Sequence, residues 1–147
     1  MVPARLTVVT LGVHDLARMR EFYKGLGWPV AFEVEDDVTA FELRGAVLCL
    51  FPLDMLAEDG RVAAATWGEG MRGLSLAINV DERDEVDAAI DAVRAAGARV
   101  TKEPVDAEWG GRTAYFSDPE ENYWEVAWVP PESNMAAAIA RATGVER

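Results

Sequence analysis

The chain is poor in the residues that build many kinds of site. It has one cysteine, Cys49, one histidine, His14, and 14 lysines and arginines against 26 aspartates and glutamates. A lone cysteine cannot close an internal disulfide. Its place in the apolar run from Ala46 to Phe51 makes a buried free thiol the expectation, which suits a reducing, cytoplasmic setting. One histidine beside Asp15 does not assemble a serine–histidine–acid nucleophile set, and no glycine-rich phosphate loop follows a strand. The net charge of −12 repels a polyphosphate backbone, so nucleic acid is not an expected partner. An anionic membrane surface is disfavoured for the same reason, and no apolar run approaches the roughly 20 residues needed to span a bilayer. Met1-Val2-Pro3-Ala4-Arg5 lacks the pattern of a secretory signal, so the chain is expected to be mature as written.

What is present is enough for one domain over residues 1–147, since half of the residues are hydrophobic and a core of ordinary size can be buried. The order of elements repeats. Thr7 to Val13 and Leu74 to Val80 alternate as strands, ending at His14-Asp15 and Asp81-Glu82. Apolar stripes follow at helical spacing: Leu16, Met19, Phe22, Tyr23 and Leu26, then Val86, Ala89, Ile90 and Val93. Asp15 and Asp81 are placed to cap these helices, and Gly27 and Gly97 to end them in the left-handed conformation. Strands are then expected at Val30–Val34 and Arg99–Val105, at Thr39-Ala40-Phe41 and Thr113-Ala114-Tyr115, and at Val47–Pro52 and Glu125–Pro130. Each fourth strand stops at a proline.

The chain is thus expected to be α+β, with two tandem βαβββ modules over about 5–52 and 73–130. A linker, 53–72, joins them; its glycines predict a mobile crossover that can include a helical turn. In the tail, 131–147, Ser133 can cap a short helix from Asn134 to Ala142.

The run from Asp118 to Trp128 joins a sharp turn to a strand with one carboxylate in its middle. Alternation sends Trp124, Val126 and Trp128 to one side, and Tyr123, Glu125 and Ala127 to the other. The paired layout resembles the vicinal oxygen chelate superfamily, which includes glyoxalase I, extradiol dioxygenases and the bleomycin-resistance proteins. The resemblance is carried by Leu11-Gly12-Val13-His14-Asp15-Leu16 before Phe22-Tyr23 and Leu26-Gly27, and by Tyr115-Phe116-Ser117-Asp118-Pro119 with Trp124-Glu125. It spans residues 5 to 130. In that family the turn ends Asp-Pro-Asp-Gly. Here Glu120-Glu121-Asn122 follows Pro119, and Asn122 is expected to take the left-handed conformation in place of the glycine.

The resemblance implies a cup-shaped mixed sheet with helices on its outer face. In metal-dependent members it also implies four ligands in that cup, one from the first and one from the fourth strand of each half. Matching the halves puts those positions at Val8, Val47, Ser75 and Glu125. Two valines offer a divalent ion nothing and a serine hydroxyl offers little, so no metal and no other cofactor is expected. His14 lies about six residues beyond Val8, roughly 20 Å along a strand, too far to substitute.

Glu125, facing an apolar cup, is the candidate catalytic residue, as a base or as an anion for a cationic group. Val8, Val47, Cys49, Phe51, Ser75, Trp109, Tyr115, Tyr123 and Glu125 are the candidate ligand-binding residues. Trp67, Trp109 and Tyr115 offer flat faces, and Trp109-Gly110-Gly111-Arg112 turns tightly enough to bring Trp109 and Arg112 to the rim. The leading expectation is metal-independent binding of a small organic molecule, cationic or aromatic, in the cup. Two rivals stand: a metal-dependent lyase or dioxygenase of the same superfamily, and a non-catalytic interaction protein whose cup is plugged by Phe51, Tyr115 and Tyr123. A homodimer is the expected assembly, closed two-fold pairs being the commonest.

Overall fold

A computed structural model describes residues 1–66 and 68–144. The elements run β1 (Val8–Val13), α1 (Leu16–Gly25), β2 (Val30–Val34), β3 (Val38–Leu43), β4 (Ala46–Pro52) and α2 (Leu53–Asp59). They continue with β5 (Ser75–Asn79), α3 (Glu85–Ala95), β6 (Arg99–Asp106), β7 (Arg112–Ser117), β8 (Tyr123–Trp128) and α4 (Asn134–Thr143). The chain divides into two compact units, Met1–Gly68 and Glu69–Arg147. Each holds a four-stranded mixed sheet, ordered β1-β4-β3-β2 in the first and β5-β8-β7-β6 in the second. The first and fourth strands of each module pair in parallel, and the other neighbours are antiparallel. This is the α+β arrangement of two βαβββ modules. Among the described residues no helix is long and apolar enough to cross a membrane.

Alternation decides what each sheet buries. In the first unit Leu11, Val13, Phe41, Leu48 and Leu50 lie under Met19, Phe22 and Tyr23 of α1, all of them buried. In the second, Phe116, Trp124 and Val126 lie under Val86, Ile90 and Val93 of α3. The Phe116 and Trp124 rings stack with centroids 6.2 Å apart. Each of these side chains contributes about 1.5–3 kcal/mol by leaving water. The opposite faces are left for other uses.

The first helix begins as its sequence implies, with Asp15 Oδ1 accepting from the Arg18 amide at 2.9 Å. The second does not. Asp81 is not its N-cap: residues 81–84 form turns, Asp84 is the N-cap residue, and no side chain caps there. Instead the Glu85 carboxylate reaches back to accept from the Asp81 and Glu82 amides, both at 2.9 Å, which ties the preceding turn to the first residue of the helix. Both helices end as expected, at Gly27 (φ 77°) and Gly97 (φ 93°). The linker opens on α2, which starts directly after Pro52 and supplies the helical turn that its sequence allows.

The β7–β8 turn is organised by Asp118, a carboxylate only 3% exposed. One of its oxygens accepts from the Glu120 amide at 3.0 Å and the Asn122 amide at 2.9 Å, and the other from the Asn122 side-chain amide at 2.8 Å. The left-handed residue is therefore Glu121 (φ 60°) and not Asn122. With the amides on either side of Glu121 tied to one oxygen, the chain reverses at the residue between them, and Asn122 is used as a donor. Glu121 is held there by an ion pair to Arg99 at 3.1 Å, and Arg72 donates to the Glu120 carbonyl and to Asn122 Oδ1.

Two outcomes follow for stability, measured by denaturant unfolding. Asp118→Ala is expected to cost about 2–4 kcal/mol, because it strands several buried donors. Glu121→Gly is expected to be more stable than Glu121→Ala by about 1 kcal/mol, since both lose the Arg99 pair and only glycine relieves the positive φ.

Candidate functional site

The parallel β5–β8 ladder places Ala77 beside Glu125 and Asn79 beside Ala127. These four side chains share the face of the second sheet that points away from α3. On that face lies a cavity of about 440 Å³, lined by Ala77, Asn79, Glu125, Ala127 and Val129 from the sheet side, Ser133, Met135 and Ile139 from the last helix and its cap, and Trp109. The helix α4 begins where Ser133 Oγ accepts from the Ala136 amide at 3.1 Å. Its Met135 and Ile139, one turn apart, turn the same stripe to the cavity. Among the described residues of the lining, Glu125 is the one ionisable group, and the rest is largely apolar.

The indole of Trp109 is positioned by a missing side chain. A Cβ on Gly111 would fall 1.9 Å from two carbons of the Trp109 six-membered ring and 2.7 Å from the Trp128 carbonyl oxygen. The ring can therefore lie where it does only because residue 111 is glycine. The neighbouring Gly110 supplies the positive φ (94°) that turns the loop. Trp109 stays 56% exposed, as a wall at a cavity mouth would be.

The first unit treats the corresponding end of its sheet differently. There α2 follows β4 without a spacer, and a Cβ on Gly12 would meet Leu53 Cδ1 at 2.7 Å and Leu56 Cδ2 at 3.1 Å. Leucines fill the space over Gly12, on the face turned away from Leu11, Val13 and α1. The equivalent position in the second unit carries Asn79, and residues 129–133 separate β8 from α4.

Behind Glu125, the antiparallel β7–β8 ladder sets Tyr115 directly opposite. Burial first, and then the negative charge of the Glu125 carboxylate, raise the Tyr115 phenol above its ordinary value. The Lys102 ammonium stands 5.5 Å from the Tyr115 ring centroid and donates to Thr113 Oγ1 at 2.6 Å. Arg112 does not reach the rim. It faces α3, where its guanidinium donates to both oxygens of Asp87 at 2.6 and 2.8 Å and to Asp106 at 3.0 Å. These bonds hold Asp87 and Asp106 below the usual carboxylate range. Strand alternation from Thr113 puts Arg112 on the far side of β7, which the loop glycines do not reveal.

Of the expected ligand-binding residues, the cavity takes Trp109 and Glu125, with Tyr115 in contact behind. Ser75 and Tyr123 are ladder partners on the same face but do not line the cavity. Tyr115 and Tyr123 are half-buried and leave the cavity open. Val8, Val47, Cys49 and Phe51 share the face of the first sheet away from α1, with Val8 opposite Val47, Cys49 opposite Thr10 and Phe51 opposite Gly12. Trp67 lies outside the described residues. Ala77, Asn79, Ala127, Val129, Ser133, Met135 and Ile139 were not among the expected ligand-binding residues. Alternation from Ser75 points to the first two, and the stripe in the tail helix to the last two.

The register also corrects the matching of the two halves. Val8 stands opposite Val47, whereas Ser75 stands opposite Tyr123. If Val8 and Ser75 are equivalent, Val47 matches Tyr123, and the counterpart of Glu125 is Cys49 rather than Val47. The four family positions then hold a valine, a thiol, a hydroxyl and a carboxylate. Burial pushes the Cys49 thiol up, away from the thiolate that metals bind. A valine has no lone pair. Among the described residues no three His, Cys, Asp or Glu side chains are gathered. This donor set does not fit a divalent ion of the family's kind.

The sequence matches the model of the Glyoxalase/Bleomycin resistance protein/Dioxygenase superfamily over residues 5–126. The chain belongs to this superfamily. Solved members of the fold include a glyoxalase-related enzyme from Fulvimarina pelagi, 30% identical, with a TM-score of 0.77 over 87% of this chain and 90% of that one. A glyoxalase/bleomycin resistance protein/dioxygenase from Nocardioides is 26% identical, with a TM-score of 0.76 over 90% of this chain and 88% of that one. A lactoylglutathione lyase from Agrobacterium tumefaciens, at 20% identity, shares the fold (TM-score 0.68, covering 86% and 94%). No curated protein matches the chain.

Two measurements probe this superfamily member's site. Gly111→Ala is expected to displace the Trp109 ring, seen as a change in tryptophan emission with a loss of about 1–3 kcal/mol from overpacking. In an NMR titration the Tyr115 ring carbons are expected to shift above pH 10, and in Glu125→Gln at lower pH than in the wild type. Because the folded phenol is raised, the unfolded chain loses this proton first. Its contribution to stability is intact below about pH 10 and falls as pH rises beyond that.

Proposed function

We propose that the protein binds, without a metal ion, a small organic molecule with a cationic or aromatic group in the cavity of its second unit. The observation that carries this reading is the chemistry of the lining: one carboxylate, Glu125, among alanines, a valine, a methionine and an isoleucine, with the Trp109 indole at the side. A volume of about 440 Å³ falls within the usual range for small-molecule sites. An apolar wall supplies affinity by area, and a single carboxylate within it selects a positive charge, because an unpaired charge there is costly. The indole adds a face on which a cation or ring can rest. The net charge of −12 favours the approach of cations at low salt.

Metal independence is supported by the donor set at the four family positions. The lyase and dioxygenase reading needs those donors, and among the described residues no contact favours it. Binding is the function proposed, with Glu125 as the anion that meets the ligand.

The test is a thermal-shift screen of aromatic, aliphatic and cationic compounds, paired with elemental analysis of the purified protein. A subset of cations is expected to raise the Tm, and Glu125→Gln to weaken those hits by about tenfold, or roughly 1.4 kcal/mol. Stoichiometric zinc, nickel, iron or manganese would overturn metal independence, and a flat response across the panel would overturn the site.

A further inference from the structure

Two oxygens on the sheet side of the cavity, those of Glu125 and Asn79, are acceptors, and this narrows the charged end of the ligand. The inference rests on the binding function proposed above. A carboxylate such as Glu125 only accepts, and Tyr115 stands directly opposite it across the β7–β8 ladder. Asn79 lies on the same face, diagonally across the β5–β8 ladder from Glu125. Its Nδ2 donates to the Ala127 carbonyl at 3.3 Å. That bond turns the amide nitrogen toward the sheet, and the carbonyl oxygen, the other prong of the fork, away from it. Ser133 Oγ takes the Ala136 amide as the cap of α4, so what it has left for a ligand is its O–H, a donor like the Trp109 indole N–H. A charged group that reaches Glu125 and Asn79 meets acceptors and must bring the donors, while Ser133 and Trp109 are left to donate to the rest of the ligand.

We propose that the cavity selects an organic cation whose charged nitrogen carries hydrogens, a primary or secondary ammonium or an amidinium, on an apolar or aromatic body. Glu125 and Asn79 read the N–H bonds, and Tyr115 acts as the positioning residue that holds Glu125. A quaternary ammonium satisfies the charge but brings no N–H donor, so it leaves both acceptors unpaired. A neutral alcohol brings one donor and no charge.

Isothermal titration with three matched probes decides this: 1-naphthylmethylammonium, its N,N,N-trimethyl derivative and 1-naphthylmethanol. The primary ammonium is expected to bind about tenfold or more tighter than either of the others. Asn79→Leu is expected to shrink its lead over the trimethyl form, and Asn79→Asp, which keeps an acceptor there, to preserve it. Tyr115→Phe is expected to weaken the ammonium several-fold and leave the alcohol unchanged, which a loss of fold would not do. Equal or tighter binding of the trimethyl form overturns the inference. If Glu125→Gln still weakens both cations in that case, the proposed binding function survives it. If the alcohol binds as well as the ammonium, reading by charge fails. If none of the three binds, both readings fall.

Discussion

The buried carboxylate of Asp118 holds the constraint on which the second unit depends. By taking the amides of Glu120 and Asn122 on one oxygen, it fixes where β7 stops and β8 starts, and so fixes their register. That register puts Tyr115 opposite Glu125 and Phe116 opposite Trp124. A slip of one residue would exchange the faces of β8, burying Glu125 under α3 and exposing Trp124 and Val126. The core and the cavity are thus two readings of one ladder, set by one turn.

The cavity itself comes from what is placed over that ladder. Both modules carry a helix after the fourth strand, in addition to the helix that covers the core face. In the first, α2 is tied to the strand end, and its leucines close on Gly12. In the second, a short spacer precedes α4, and Asn79 stands where the glycine would be. A duplicated plan has therefore produced one filled end and one hollow end, and the chemistry collects at the hollow one.

Much of this was legible in the sequence, because a period of two and a period of 3.6 are visible without coordinates. The strands, the two core-facing helices and the helix capped by Ser133 lie close to where alternation and capping put them. The misses have distinct physical causes. Asp81 lost its capping role because the helix starts four residues later, at Glu85, whose side chain bonds the amides of the turn before it. Asn122 lost the left-handed position because its side chain was worth more as a donor to Asp118. Pairing Glu125 with Val47 instead of Cys49 is a slip of two residues. A slip of two leaves every side chain on its proper face, so a parity check cannot detect it, and only the hydrogen-bonded ladder can. Capping by Ser133 pointed to a helix in the tail, but not to the surface that it covers.

The spacer of residues 129–133 carries a consequence for how such a pocket changes over time. The volume under α4 depends on how far the chain travels before Ser133 restarts a helix, and that distance can vary while every strand residue stays as it is. Inserting or deleting a residue there would rescale the chamber and leave Glu125, Asn79 and Tyr115 where they stand. Capacity and recognition are therefore separately heritable in this half of the molecule: the length of one loop sets the first, and the register of two strands sets the second.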